Sequence, residues 1–230
     1  MHIAPEHPPA GARKSPIVCY VTDRISLASV DARAPVPGLL ANLRRAVEAG
    51  VDWVQIRERS LPARELLALA REAVRISAPN ARVIVNDRLD IAIAAGAAGV
   101  HLGGESLPAC EVVSWRRGGN TRAGFLVGVS CHSLADAREA EAAGANYVVF
   151  GPVFDTPAKA RFGPPQGLGK LAEVCRGLAL PVIAIGGVNE GNAVECVRAG
   201  AAGIAAIRMF QEARGPEELK RSIERLHRLE

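Results

Sequence analysis

Aromatic side chains are scarce: Phe, Trp and Tyr make up 4% of the 230 residues. A core built without them has to be packed from Val, Ile, Leu and Ala. Branched aliphatic side chains are what fill the layered interior of a closed parallel barrel. Nucleic-acid readers need stacking aromatics beside a clustered basic stripe. Neither occurs here, because the net charge is only +4 and no run of five like charges exists. No apolar stretch is long enough to suggest a membrane span, and residues 1–16 contain no apolar leader. The five cysteines (Cys19, Cys110, Cys131, Cys175 and Cys196) include no C-x-x-C pair. An odd count in apolar surroundings reads as free, mostly buried thiols in a reducing compartment. The expectation is a cytoplasmic protein that binds small molecules, with neither nucleic acid nor membrane as a partner. A homodimer is compatible with the partly apolar helix exteriors.

A joint recurs along the chain. It reads Ala49-Gly-Val-Asp-Trp53, Ala95-Gly-Ala-Ala-Gly99, Ala143-Gly-Ala-Asn-Tyr147 and Ala199-Gly-Ala-Ala-Gly203. A helical pattern precedes each copy and a short β-branched run follows. A helix that stops and feeds a strand favours a residue at positive φ just past its end, which glycine adopts without a Cβ clash. The apolar runs give eight candidate strands at 17–22, 53–57, 82–86, 100–103, 126–130, 147–151, 181–185 and 203–207. Helical periodicity is clearest over 39–49, 63–76, 134–143 and 216–229. Strict strand–helix alternation predicts a parallel sheet, and eight units favour the closed (β/α)8 TIM barrel over an open doubly wound sheet. No Gly-x-Gly-x-x-Gly follows the first strand, which argues against a dinucleotide fold. Residues 1–16 read as a flexible extension and residues 17–230 as one domain.

In such a barrel the loops after the strands carry the chemistry. The polar residues just past each apolar run therefore matter most. Gln55, Arg57 and Arg59 alternate along a strand, so all three side chains are expected to point to one face. With Lys159 they would suit a polyphosphate, since guanidinium forks match phosphate oxygens. Asp87 and Glu105 offer the hard oxygen ligands that Mg2+ takes together with substrate phosphates. The Gly186-Gly187 turn after the seventh strand suits a phosphate held by backbone N–H groups. Each feature has a plainer reading. Arg after a strand is often a surface ion-pair partner, Asn86-Asp87 can simply cap a helix, and Gly-Gly can simply turn. His101, inside an apolar run, reads as a core histidine or as one supporting the site from behind.

Seven segments, in order, are similar to the thiamine phosphate synthase superfamily, which also includes thiazole tautomerases. They are Tyr20-Val-Thr-Asp23, Val54-Gln-Ile-Arg-Glu-Arg59, Val85-Asn-Asp87, Gly99-Val-His-Leu-Gly103, Gly128-Val-Ser-Cys-His132, Phe150-Gly-Pro-Val-Phe-Asp-Thr-Pro-Ala-Lys159 and Ile183-Ala-Ile-Gly-Gly187. The resemblance implies a Mg2+-assisted coupling of hydroxymethylpyrimidine diphosphate with a thiazole phosphate, giving thiamine phosphate and pyrophosphate. It places Gln55, Arg57, Arg59, Asn86, Ser130 and Lys159 around the pyrimidine diphosphate. It places Thr156, Gly187 and the backbone near Ile207 around the thiazole phosphate, and Asp87 on the metal. It also implies that Arg57, Lys159, Ser130 and His132 serve the chemistry.

Three departures bear on that reading. Ser106 stands where the family's synthases have a metal-binding Asp, which leaves Glu105 or Ser106 as the second ligand. Ala158 replaces a threonine. Arg208 replaces a serine. These lean toward a tautomerase with His132 as its acid–base group, whereas Gln55, Asn86 and Asp87 lean toward the synthase. A non-catalytic barrel that binds a phosphorylated metabolite is a third reading.

Overall fold

A computed structural model describes residues 15–27, 35–156 and 164–229. Eight strands are present: β1 (Ile17–Val21), β2 (Trp53–Ile56), β3 (Arg82–Asn86), β4 (Gly99–Leu102), β5 (Leu126–Cys131), β6 (Tyr147–Phe150), β7 (Val182–Ile185) and β8 (Gly203–Ala206). They lie within one or two residues of the expected runs. Every neighbouring pair is parallel, and β1 pairs with β8 through Ile17↔Gly203 to Tyr20↔Ala206, closing the barrel. Between them run α1 (Pro35–Glu48), α2 (Ala63–Ser77), α3 (Leu89–Ala94), α4 (Ala109–Trp115), α5 (Leu134–Ala142), α6 (Gly167–Gly177) and α7 (Ala193–Arg198). The short α8 (Arg208–Gln211) and then α9 (Pro216–His227) follow β8. The extension proposed over residues 1–16 lies almost wholly outside the described residues.

The strand pleat divides the side chains into two cores. Ile17, Cys19, Val21, Trp53, Ile84, Leu126, Tyr147, Val149, Ile183 and Ala205 point inward and fill the barrel. Trp53 and Tyr147 meet edge-on inside it, with ring centroids 4.8 Å apart. The alternate residues point outward under the helices. In α2 the sequence puts Leu66, Leu69, Ala70 and Ala73 on one stripe, and that stripe is buried. Burying each leucine contributes roughly 1.5–3 kcal/mol. The joint glycines Gly50, Gly96, Gly144 and Gly200 all have positive φ, as a helix end turning into a strand requires.

The N-terminal end of the barrel is closed by a separate clamp. Asp52 Oδ2 accepts from Val18 N at 2.8 Å and lies 2.9 Å from His227 Nε2, tying the end of α9 under β1 and β2. Among the described residues no helix is long and apolar enough to cross a membrane. All five cysteines are free; Cys19, Cys131 and Cys196 are buried, while Cys110 is exposed. Burial pushes the thiols of Cys19, Cys131 and Cys196 up to about 12, so they pack as small apolar groups and not as nucleophiles.

Candidate active site at the barrel mouth

The inward positions turn polar one pleat above the apolar layer. Trp53 is followed two residues on by Gln55, Ile84 by Asn86, Gly99 by His101 and Gly128 by Ser130. Gln55, Asn86 and His101 are buried, and Ser130 is half-buried. Gln55 Nε2 donates to Asn86 Oδ1 at 3.0 Å, and Asn86 Nδ2 donates to Asp87 Oδ2 at 2.6 Å. Asp87 has φ +60, a left-handed conformation seldom tolerated outside glycine. Its backbone N–H is held by the His101 carbonyl at 2.8 Å. Its Oδ1 accepts from Gly103 N at 3.3 Å and from the Ser106 hydroxyl, and Ser106 Oγ in turn accepts from Gly103 N at 2.6 Å. The carboxylate is thus aimed from both sides. It does not cap α3, whose first turn has no side-chain cap.

The second strand ends earlier than its alternation suggests. The ladder stops at Ile56, because the hydroxyl of buried Thr22 takes Arg57 N at 2.9 Å. Thr22 also hydrogen-bonds Glu58, which is 3% exposed and accepts from Arg24 N at 3.1 Å. Burial raises the Glu58 pKa above the usual carboxylate value, while Thr22 and Arg24 oppose that shift. Gln55 and Arg57 are therefore aimed by different elements. Arg59 falls in the following turn and is exposed, so the single strand face expected for all three does not form. The Arg59 charge still reaches Arg57. Burial first and Arg59 second lower the Arg57 pKa, and Asp23, Asp87 and Glu58 raise it. Arg57 and Asp87 thus belong to one electrostatic neighbourhood, and His101 feels both.

Four further sequence candidates, His132, Thr156, Gly187 and Ile207, follow β5, β6, β7 and β8. Ser133 caps α5 by accepting from Asp136 N at 3.1 Å, and Asp136 Oδ2 accepts from His132 N at 3.0 Å. This reciprocal cap fixes His132, whose ring Nδ1 lies 2.5 Å from the Gly151 carbonyl oxygen. A carbonyl only accepts, so Nδ1 carries a hydrogen and Nε2 is the site open to proton transfer. Across the mouth, β6 continues as a zipper onto the end of β7: Val153 N donates to Ile185 O and Phe154 N to Gly186 O, both at 2.9 Å. Gly186 and Gly187 turn with φ +94 and +66 beneath this segment. A Cβ on Gly187 would lie 2.5 Å from Asp155 O. Thr156 and Ile207 are half-buried, and Ile207 leads into α8. Lys159 lies outside the described residues.

The donor set for a divalent ion is lean. No group of three His, Cys, Asp or Glu suited to a metal gathers among the described residues. Glu105 is exposed and makes no part of such a cluster. What remains is one pinned carboxylate, Asp87, with the Ser106 hydroxyl against it. Mg2+ is commonly held by one or two carboxylates together with substrate phosphates and water. Asp87 fits an ion that arrives with a phosphorylated substrate; the described residues build no cage supplied wholly by the protein.

Sequence reading passed over three residues that build this mouth. Thr22 ends the strand and Glu58 anchors its loop. Tyr147 is the third; its hydroxyl meets His101 Nδ1 at 3.3 Å from two strands away. In the sequence Thr22 and Tyr147 show only as a polar atom at the edge of an apolar run, and Glu58 only as a carboxylate between Arg57 and Arg59.

A closed (β/α)8 barrel with polar, anion-suited side chains at the C-terminal ends of its strands defines the class of barrel enzymes whose active site is that rim. Residues 27–210 match the family model described as thiamine monophosphate synthase. The chain belongs to that family. It is 45% identical over 165 residues to the thiamine-phosphate synthase of Methanoculleus marisnigri, covering 71% of this chain and 76% of that protein. It is 38% identical over 208 residues to that of Roseiflexus castenholzii, covering 90% and 86%. Among solved structures, thiamine phosphate pyrophosphorylase from Pyrococcus furiosus superposes with a TM-score of 0.74 at 32% identity, covering 91% of this chain and 96% of the other.

Proposed function

We propose that this protein couples hydroxymethylpyrimidine diphosphate to a thiazole phosphate, releasing pyrophosphate and thiamine phosphate. The observation that carries the reading is the convergence of Arg57 with the Gln55–Asn86–Asp87 hydrogen-bonded chain at one mouth. In the reaction the bond from the pyrimidine methylene carbon to the diphosphate oxygen breaks, and both electrons leave with pyrophosphate. The thiazole nitrogen lone pair then forms the new bond to that carbon. Little proton transfer is needed, so catalysis is chiefly stabilisation of leaving-group charge. Arg57 supplies a partly buried guanidinium for it. Lys159 is the second cation in this reading. Gln55 and Asn86 orient the pyrimidine end, and Ser130 donates to the anion. When bound with the diphosphate at Asp87, Mg2+ supplies further positive charge. Gly187, Thr156 and the backbone near Ile207 receive the thiazole phosphate.

The test is incubation with both substrates and Mg2+, following thiamine phosphate. Formation above the enzyme-free control, abolished by a chelator and restored by Mg2+, is the expected result. No thiamine phosphate, together with His132-dependent isomerisation of a thiazole carboxylate phosphate, would move the protein to the tautomerase branch. His132 is set up for either outcome, since its Nδ1 is committed to Gly151 and its Nε2 is not.

A further inference from the structure

We propose that Tyr147 and His101 act as positioning residues, forming a hydrogen-bond relay of fixed polarity that turns the Ser130 hydroxyl proton toward the mouth. The inference rests on the diphosphate reading of that mouth and adds what prepares its neutral donor.

The relay is laid out by strand register. Tyr147 pairs with Gly128, Gly128 with His101, and His101 with Asn86, in one row across β6, β5, β4 and β3. Gly128 is the enabling residue. A Cβ there would lie 2.0 Å from Tyr147 Cζ, so only glycine lets the ring cross β5 and reach β4. The ring then stacks on His101 with centroids 5.7 Å apart and planes inclined by 28°. Its hydroxyl lies 3.3 Å from His101 Nδ1, and the opposite ring nitrogen, Nε2, lies 2.8 Å from Ser130 Oγ.

The polarity follows from what each group is able to do. The Tyr147 phenol is buried, which keeps it protonated, so its O–H needs an acceptor. Among the described residues its hydrogen-bonding neighbour is His101 Nδ1. That nitrogen must then be the bare one, and the hydrogen of the neutral imidazole sits on Nε2. Nε2–H donates to Ser130 Oγ. Ser130 cannot donate back to a donor, so its own O–H points elsewhere, and the half-buried end of β5 opens toward the mouth. The reverse arrangement would leave a buried phenolic O–H without an acceptor, which is costly. A donor whose direction is set before binding needs no reorganisation when negative charge develops on the leaving group.

The first test needs no activity. Long-range 1H–15N correlation on the ligand-free protein should show His101 as the Nε2–H tautomer, unchanged when inorganic pyrophosphate is added. The Nδ1–H tautomer or an imidazolium at neutral pH would overturn the relay. Tyr147→Phe should scramble the tautomer and weaken pyrophosphate binding, read by calorimetry, by about tenfold, as for the loss of a hydrogen bond to a charged group. Ser130→Ala should do the same, and the double variant should be no worse than either single one. Additive losses would refute the coupling. His101→Gln, which keeps an N–H within reach of Ser130, should retain more affinity than His101→Leu; equal losses would also refute it. If the wild type binds pyrophosphate with the expected tautomer but forms no thiamine phosphate, the coupling activity fails and the relay stands.

Discussion

The two sides of the mouth are made from different material. From β1 to β5 the rim is a mesh of side chains, in which Thr22, Gln55, Asn86, Asp87, His101, Ser106 and Ser130 each hold a neighbour. From β6 to β8 the described residues of the rim are mostly main chain: the strand extension at Val153 and Phe154 lies over the Gly186-Gly187 turn. A mesh of side chains presents charge and direction. A glycine turn presents backbone and leaves room. The first side should therefore fail when side-chain atoms are removed, and the second when atoms are added.

The sharpest break should come from Arg57→Ala and Asp87→Ala. Removing one preorganised charge-stabilising group typically costs about two decades or more in rate, and we expect kcat/KM for coupling to fall by that much in each variant. A loss under about threefold for Arg57→Ala would reject its role. Unimpaired, Mg2+-dependent coupling by Asp87→Ala would reject the metal assignment. Circular dichroism and thermal unfolding should show both variants folded, since neither side chain lies in the apolar layers.

The side-chain mesh also makes folding sensitive to pH, which the glycine turn does not. Burial lowers the His101 pKa from 6.5 to about 4, the nearby Arg57 charge adds to that, and Asp87 opposes it. Above 6.5 both folded and unfolded states hold a neutral ring, and this contribution to stability is fully present. As pH falls from 6.5 toward 4 the unfolded chain takes up a proton that the folded one refuses. Stability should drop across that window by about 3 kcal/mol from this group and level off below it. Denaturant unfolding of the metal-free protein at a series of pH values tests this. His101→Gln should flatten the window, and an unchanged slope would show that His101 is not its source.

On the other side, Gly187→Ala adds one methyl group where φ is +66 and Asp155 O would be 2.5 Å away. We expect a destabilisation of about 1–3 kcal/mol and a higher KM for the thiazole phosphate than for the pyrimidine diphosphate. Gly104→Ala is the control, because nothing lies within 4 Å of its Cβ position. Equal effects at the two glycines would erase the distinction between the two rims.

Much of this was readable in the sequence, and for a physical reason. Strand positions and the helix-to-strand glycines are local signals, and each of the four joint glycines has the positive φ its place implied. The polar residues past the apolar runs were readable too, because a parallel barrel sends every strand end to one rim. What failed was information carried by another strand. Alternation cannot say where β2 stops; that depends on Thr22, 35 residues from Arg57 in sequence. Ser106 reads as a lost carboxylate, yet its hydroxyl braces Asp87. Tyr147 reads as one more apolar strand residue, and its approach to His101 depends on the register of three strands and the bare Cα of Gly128.

The smallest effect expected on the side-chain rim is at Arg59. The sequence sets it beside Arg57 as an equal, but the chain leaves the ladder between them, and Arg59 stands exposed while Arg57 is half-buried. An exposed charge acts through water and is screened by salt, whereas a partly buried one is screened much less. Arg59→Ala should therefore lower kcat/KM by less than about tenfold, with most of the loss in KM and most of it gone at high salt. It should also ease the repulsion that helps lower the Arg57 pKa. Kinetics at low and high ionic strength read both outcomes. A salt-independent loss as large as that of Arg57→Ala would mean that Arg59 folds into the mouth once substrate is bound, and the two arginines would then have to be treated as one clamp.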